Sequence, residues 1–317
     1  MLDISISIVN FNTQNSLKVC LDSIKNSSQG LNYEVIVADN NSSDGSLLML
    51  KDEFPFVKII ANKENIGATR AKNQTFKIAS GRYVLILDSD IELVQDAIRV
   101  MFDFMEKNPS VGILGPRVKF PNGYYQHSCN GYPPNIVGSF LDKFFFLANL
   151  RYSFYRTKIG SGFLKIMYNR DKEFIWLGGM CLLARKEVIQ QLGGMDENFF
   201  IYFDDTDFCI RARKAGWKVY YIASAVAIHH MSKGIKKFSN FIFPKIFESE
   251  LYFFNKHYGR FQKVLVAIFI ALAMFLRILP VMLIFILGVK KDYFRGKIKA
   301  CWSVLIFALK EIYEKTN

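Results

Sequence analysis

Four short β-branched runs, at residues 4–9, 34–38, 57–61 and 83–87, alternate with helical patterns at 17–25, 46–54, 69–79 and 95–107. This alternation constrains the fold more than any other feature. Strands separated by helices build βαβ units, and the sheet that results is parallel and covered on both faces. In open sheets of this class ligands gather beyond the carboxyl ends of the strands, so the residues following each run are the first candidates for chemistry.

Beyond residue 115 the pattern breaks into Gly, Pro and Asn clusters and an aromatic stretch at 140–155, where periodicity decides little. Regular structure resumes with a strand-like run at 174–184, a helix at 186–192, the turn Gly193-Gly194, a helix at 205–215 closed by Gly216, and a strand at 218–222. The apolar run 264–289 is 26 residues long with Arg277 as its single charge. At about 1.5 Å per residue it exceeds the roughly 30 Å hydrocarbon core. Arg277 and Pro280 in its middle also suit a re-entrant hairpin or two in-plane half-helices. After the basic stretch 290–299, Ile298, Cys301, Trp302, Leu305, Leu309, Ile312 and Tyr313 share one helical face fit for a membrane interface.

The length of 317 residues allows about two domains. We expect a catalytic domain at 1–235 and a C-terminal helical, membrane-associated region at 236–317. Hydrophobic residues make up 51% of the chain, too many for disorder. The net charge is +13, of which +8 lies in residues 256–317. A basic tail beside an apolar run points to an anionic membrane surface and not to nucleic acid, whose partners interleave basic residues through a recognition fold. The five cysteines are scattered without a CxxC pair, which indicates neither a disulfide framework nor structural zinc. The chain enters its first strand with no leader-like segment, so the catalytic part is expected on the cytoplasmic side of the cell membrane.

Several acidic and polar residues sit at the expected sheet edge. The run 83–87 ends in Asp88-Ser89-Asp90, suited to a divalent cation (Mg²⁺ or Mn²⁺) that neutralises a diphosphate; helix capping is the structural alternative. Asp39 ends the second strand in Asp39-Asn40-Asn41-Ser42-Ser43-Asp44, where an acid can accept from a ribose or a pyrimidine N–H, or close an Asx turn. Asn65, Gly67 and Arg70 place a glycine turn, a cation and a helix start near the same edge, a fair seat for a diphosphate. Asp204, Asp205 and Asp207 follow the aromatic run 199–203 and open a helix. A carboxylate against apolar walls gains a raised pKa and can act as a general base. His229-His230, after a strand-like segment, could complete a metal site with Asp90.

Taken in order, the segments 7–12, 39–45, 65–73, 87–90, 178–180, 193–196 and 199–211 resemble the inverting family-2 glycosyltransferases, in particular the rhamnosyltransferase-like branch that builds bacterial surface polysaccharides. The resemblance covers residues 4 to about 235. It implies an α/β fold of the GT-A nucleotide-sugar-binding type, with a mixed, mainly parallel sheet. It further implies that Asn10, Asn12, Asp39, Asn41, Asn65, Gly67, Arg70, Asp88 and Ser89 bind a dTDP or UDP sugar, and that Asp90 and His229 hold the metal. By the same resemblance Asp205 is the base with Asp204 in support, and Trp176, Gly178, Gly179 and Asp207 face a lipid-linked or glycan acceptor. Rhamnose from dTDP-rhamnose is the first expectation for the donor, ahead of UDP-hexoses and UDP-N-acetylhexosamines. A nicotinamide dehydrogenase would also open with βαβ units, but residues 1–29 contain no glycine and therefore no dinucleotide fingerprint. A non-catalytic nucleotide-binding scaffold in the membrane is the remaining alternative.

Overall fold

A computed structural model describes residues 2–144, 147–231, 239–286 and 291–313. The chain divides into two compact units. The first comprises Met1–Pro133, Ser153–Phe200 and Asp204–Gly234, and the second Pro134–Tyr152, Ile201–Phe203 and Ile235–Asn317. The domain boundary expected at residue 235 falls within 232–238, outside the described residues.

The first unit is built in the order β1 (Ile4–Asn10), α1 (Gln14–Ser27), β2 (Tyr33–Asp39), α2 (Ser46–Glu53), β3 (Lys58–Ala61), α3 (Ala68–Ile78), β4 (Tyr83–Asp88), β5 (Ile91–Val94), α4 (Ala97–Lys107) and β6 (Val111–Lys119). These alternations follow the sequence pattern to within a few residues. The sheet has nine strands in the order β3-β2-β1-β4-β10-β6-β11-β5, with β8 (Lys172–Glu173) on β11; β10 is Cys181–Arg185 and β11 Lys218–His229. Strands β3, β2, β1 and β4 run parallel, as do β6 and β11. Antiparallel pairings join β10 to β4 and β6, and β11 to β5 and β8. The sheet is therefore mixed and mainly parallel, as expected: β3, β2, β1, β4, β6 and β11 share one direction, and β10, β5 and β8 run against them.

Strand β1 shows how the sequence selects the layers. Ile4, Ile6 and Ile8 point to one face, where they meet Leu17, Leu21 and Ile24 of α1 and share a core with Ile98, Met101 and Met105 of α4. The other face gathers Ile36, Val84, Ile86 and Leu182 against Val188 and Ile189 of α8 (Lys186–Leu192) and Phe208 and Ala212 of α9 (Asp204–Lys214). Strand β6 lies where Gly115 and Pro116 suggested a break. Pro116 sits beside the shift at which the partner register jumps from Ile222 to Val226, a bulge where a missing N–H is tolerated. The segments 218–222 and 223–228 are accordingly one strand with a bulge. The aromatic stretch forms helices: α5 (Ile136–Phe144), α6 (Leu147–Tyr155) and, after it, α7 (Lys158–Met167). A two-stranded sheet pairs β7 (Cys129–Asn130) with β9 (Trp176–Leu177).

The second unit contains α5, α10 (Ser239–Tyr258), α11 (Arg260–Ile286) and α12 (Lys291–Tyr313). Ser139 and Lys143 of α5 both donate to the buried Glu250 of α10, at 2.8 and 2.9 Å. Helix α11 continues through Arg277 and Pro280, so among the described residues the apolar run is neither a hairpin nor two half-helices; 287–289 lie outside them. By length and composition, α11 is the one described helix able to cross a membrane. The expected apolar face of α12 divides: Cys301 and Leu305 are buried with Ala300, Val304 and Ala308, while Trp302, Leu309 and Tyr313 are exposed. Small residues on the buried side let α12 pack closely against α11.

Candidate functional site

The site lies at the carboxyl ends of β1, β2 and β4. Register pairs Asn10 with Asp39 and Val9 with Asp88, so three polar residues end their strands side by side. Asp39 is fully enclosed. One of its oxygens accepts from Asn10 Nδ2 at 2.7 Å and the other from Ser42 N at 2.8 Å. Ser42 Oγ also accepts from Asn12 N at 2.9 Å, and Asn12 Oδ1 from Ser43 N at 2.8 Å. Asn12 and Asn41 have φ of 54° and 66°, the left-handed region that Asn enters more readily than most residues. Asn41 itself is exposed. Thr13 ties this loop to β4, since its hydroxyl donates to Asn10 Oδ1 at 2.6 Å and lies 2.7 Å from Ser89 Oγ.

Gly67 precedes α3 with φ of 88°, and a Cβ there would fall 2.8 Å from both the ring and the carbonyl oxygen of Phe200. Only glycine fits, because the first turn of α3 is pinned to that carbonyl by Ala68 N at 2.9 Å. Asn65 Oδ1 accepts from Gly67 N at 3.0 Å and closes the turn. Arg70 points outward, 4.0 Å from an exposed Glu197, a weak surface pair.

Beyond β4 the chain turns at Asp88-Ser89-Asp90 directly into β5, so these acids cap no helix. Strand β11 pairs antiparallel with β5 and sets His229 opposite Ile91. His229 Nε2 then faces Asp90 Oδ1 at 3.3 Å, while Nδ1 lies 3.1 Å from Gln126 Oε1. A neutral His229 that donates from Nδ1 to Gln126 turns an Nε2 lone pair toward an anionic oxygen. Two acceptors at that separation call for a proton or a cation between them. Burial works against the charged ring, but the Asp90 carboxylate outweighs it and holds the His229 pKa above its ordinary value. The donor set, one imidazole nitrogen with a hydrogen-bonded partner behind it and one carboxylate, fits Mg²⁺ or Mn²⁺. Among the described residues no cage of three or more His, Cys, Asp or Glu groups is gathered, so water and a diphosphate would supply the remaining ligands. His230 turns to the other side of the strand, 2.8 Å from Glu92.

Asp88 is half-buried, and desolvation with the Asp90 charge pushes it up to about 6 against the opposing Lys72 ammonium. Its backbone N–H donates to Met180 O at 2.9 Å. The preceding residue, Gly179, donates its N–H to Asp205 Oδ2 at 2.6 Å. Asp88 and Asp205 are thus held on consecutive residues of one segment. Asp205 Oδ1 accepts from Thr206 N at 2.6 Å, and the carboxyl is pushed up to about 6, first by burial and then by the adjoining Asp204 charge. A side chain at Gly179 would meet the Asp205 Cβ at 2.9 Å, so glycine permits this approach. Gly178 N donates to Ser128 O at 2.7 Å, and Trp176 Nε1 donates to Tyr132 O at 3.0 Å. Asp204 is buried and accepts from Lys72 Nζ at 2.8 Å.

The structure does not bring Asp207 to this surface. Its side chain is wholly enclosed and accepts from Arg211 Nε at 2.7 Å, and Arg211 in turn donates to Leu192 O and Gly194 O. The acid secures α9 to the Gly193-Gly194 turn. Conversely, Lys72, Gln126, Thr13 and Ser42 take part in the site without having been singled out by sequence pattern. Lys72 carried a weak signal: it shares a helical face with Thr69 and Thr75, a polar stripe in a helix whose sheet-facing side is small.

The profile of glycosyl transferase family 2 matches residues 5–171. Over 209 residues the chain is 29% identical to an N-acetylglucosaminyl-diphospho-decaprenol L-rhamnosyltransferase of Mycobacterium tuberculosis, a match covering 62% of this chain and 66% of that protein. The chain thus spans just under two thirds of that relative. It is also 24% identical over 236 residues to the rhamnosyltransferase WbbL of Escherichia coli, covering 71% of this chain and 82% of WbbL. The fold is similar to that of the mannosyltransferase PcManGT of Pyrobaculum calidifontis, solved with GDP-Man and Mn²⁺. The TM-score is 0.52 at 16% identity, over 100% of this chain and 90% of that one.

Proposed function

Because the chain belongs to glycosyl transferase family 2, we propose that it moves a sugar from a pyrimidine-nucleotide diphosphate donor to a lipid-linked or glycan acceptor with inversion. Rhamnose from dTDP-rhamnose is the first choice, favoured by the two rhamnosyltransferase relatives. The observation that carries the reading is the joining of two acidic groups, Asp88 to Met180 and Asp205 to Gly179, at one sheet edge.

In this reading Asp39 and Asn10 form the floor beneath the nucleoside pocket; both are enclosed, and the two bonds that Asp39 accepts fix the Asn10 side chain and the Ser42 backbone on which the pyrimidine rests. Asn12, Asn41, Asn65 and the Gly67 turn shape the same pocket, Asp88 and Ser89 meet the ribose side, and Arg70 swings toward the diphosphate. Asp90 and His229 would hold the divalent cation, which supplies positive charge to the leaving diphosphate. Asp205 takes the acceptor hydroxyl proton as the new glycosidic bond forms, and the electron pair of the broken bond leaves with the diphosphate. Single displacement through an oxocarbenium-like state inverts the anomeric carbon. Trp176, Gly178 and Gly179 border the acceptor side. Turnover of dTDP-rhamnose, UDP-glucose, UDP-galactose and UDP-N-acetylglucosamine by purified protein with Mn²⁺ tests the proposal. Absence of turnover with every donor, given a lipid-diphosphate acceptor, would sink it.

Replacing Asp90 by Asn removes a charged oxygen from a hard-cation site. The expected result is loss of the Mn²⁺-dependent part of UDP or dTDP affinity in calorimetry, with the metal-free affinity retained. Equal affinities in variant and parent would take Asp90 out of the metal site.

We further propose that α11 anchors the chain in the cytoplasmic membrane, catalytic unit on the cytoplasmic side, which confines enzyme and acceptor to one surface. A spanning helix resists alkaline carbonate extraction of membranes. Release of the full chain by carbonate would show that α11 packs as an ordinary core helix.

A further inference from the structure

Helix α7 exposes an apolar stripe within the catalytic unit. Ile159, Phe163 and Ile166 are 78%, 50% and 74% exposed and fall at i, i+4 and i+7, on one face. The opposite face is firmly held. Leu164 is fully buried, Ser161 Oγ accepts from Tyr125 N at 2.9 Å, and Thr157 caps the first turn through Gly160 N at 3.1 Å. The exposure therefore belongs to an anchored helix and not to a frayed one. Surface helices ordinarily turn charge to water at these positions, and isolated exposed aliphatics carry no meaning, whereas a stripe does.

The charge around the stripe is one-signed. From Arg156 to Arg170 the sequence has Arg156, Lys158, Lys165 and Arg170 and no acid. Lys158 and Lys165, one heptad apart and both exposed, flank the stripe on α7 itself. The acids that follow are occupied: Asp171 accepts from Ala223 N, and Glu173 pairs with Arg213. Exposed Phe154, just before α7, adds another aromatic ring.

We propose that this face of α7 is a lipid-contact surface that seats the catalytic unit on an anionic bilayer, separately from α11. An apolar stripe with basic flanks suits the boundary between headgroups and acyl chains, where the side chains bury and the lysines meet lipid phosphates. A water-soluble protein partner would not need the basic run, and a second copy of the chain would set like charges against each other.

All five cysteines are buried, so one exposed cysteine can be labelled selectively. The full chain carrying Ile166→Cys with an environment-sensitive dye is reconstituted in vesicles of equimolar phosphatidylglycerol and phosphatidylcholine with brominated acyl chains. Lys51→Cys on exposed α2 is the control. Quenching about threefold greater at position 166 than at 51 is expected. It should weaken in pure phosphatidylcholine and in the Lys158→Gln, Lys165→Gln double variant. Equal quenching at both positions, quenching indifferent to phosphatidylglycerol, or a dye shielded by dimerisation without lipid each overturns the proposal. The outcome is separable from that for α11. Carbonate-resistant protein with an unquenched dye removes only the α7 contact, whereas salt-released protein with a quenched dye removes only the spanning helix.

Discussion

Replacing Lys72 with Met is expected to cost about 3–5 kcal/mol of stability near neutral pH, because it strands the buried Asp204 carboxylate that Lys72 meets at 2.8 Å. The ammonium also lies close enough to Asp88 and Asp205 to stabilise both as anions. Its own pKa is raised; burial opposes the charge, but the Asp204, Asp88 and Asp205 charges outweigh it. A lysine with a raised folded pKa contributes stability throughout the range below its unfolded value of about 10.5. In the variant Asp205 loses the Lys72 charge that holds its pKa down and keeps its proton to higher pH than in the parent. A carboxyl whose folded pKa is raised loses stability as pH climbs from its unfolded value to its folded one. The deficit should therefore be smaller at about pH 5 than at about pH 8, measured by urea unfolding. Transfer by the variant should need higher pH. A deficit under about 1 kcal/mol at both values would make the pair equivalent to a solvated surface bridge.

The parts of this site that end strands were legible, and those that depend on a partner were not. Asp39, Asp88 and Asp90 stand out because an acid directly after a buried β-branched run has nowhere to go but the sheet edge. Asp204 and Asp205 stand out because acids rarely follow five residues of mostly aromatic character. Lys72 has only the weak mark of its polar stripe with Thr69 and Thr75. Its burial follows from the packing of α3 on β1 and β2 and from an acid 132 residues away. The choice between His229 and His230 was also beyond the sequence, because neighbours in a strand point to opposite faces and only the pairing with β5 says which face holds Asp90. Asp207 misled for a related reason. Helical spacing sets it three residues after Asp204, but its i+4 neighbour is Arg211, and that pair was satisfied inside the fold. Helices α5 to α7 escaped periodicity because α7 carries apolar residues on two faces, one toward the core and one outward.

In Asp205→Asn, sugar transfer is expected to fall by about 10²-fold or more while donor binding survives, since the amide cannot take the acceptor proton. The substitution is less conservative here than the similar shapes suggest. Both Asp205 oxygens accept backbone N–H groups, Oδ2 from Gly179 and Oδ1 from Thr206. An amide has one acceptor oxygen, so its NH₂ must face one of these donors, at a cost of about 1–3 kcal/mol. Loss of activity alone would therefore not separate a missing base from a shifted loop. Two further readouts do. With Asp205 pushed up to about 6, the parent should gain activity as pH rises through that value, because the deprotonated carboxyl is the working form. The variant should lose that limb and keep a flat residual rate, with nucleotide affinity in calorimetry unchanged. A displaced loop would instead leave the limb in place and weaken donor binding through the Met180 contact to Asp88. Near-parental turnover at saturating donor and acceptor would remove Asp205 as the base. Asp204 would then be the carboxyl to test, since Asp207 is enclosed and already bonded to Arg211.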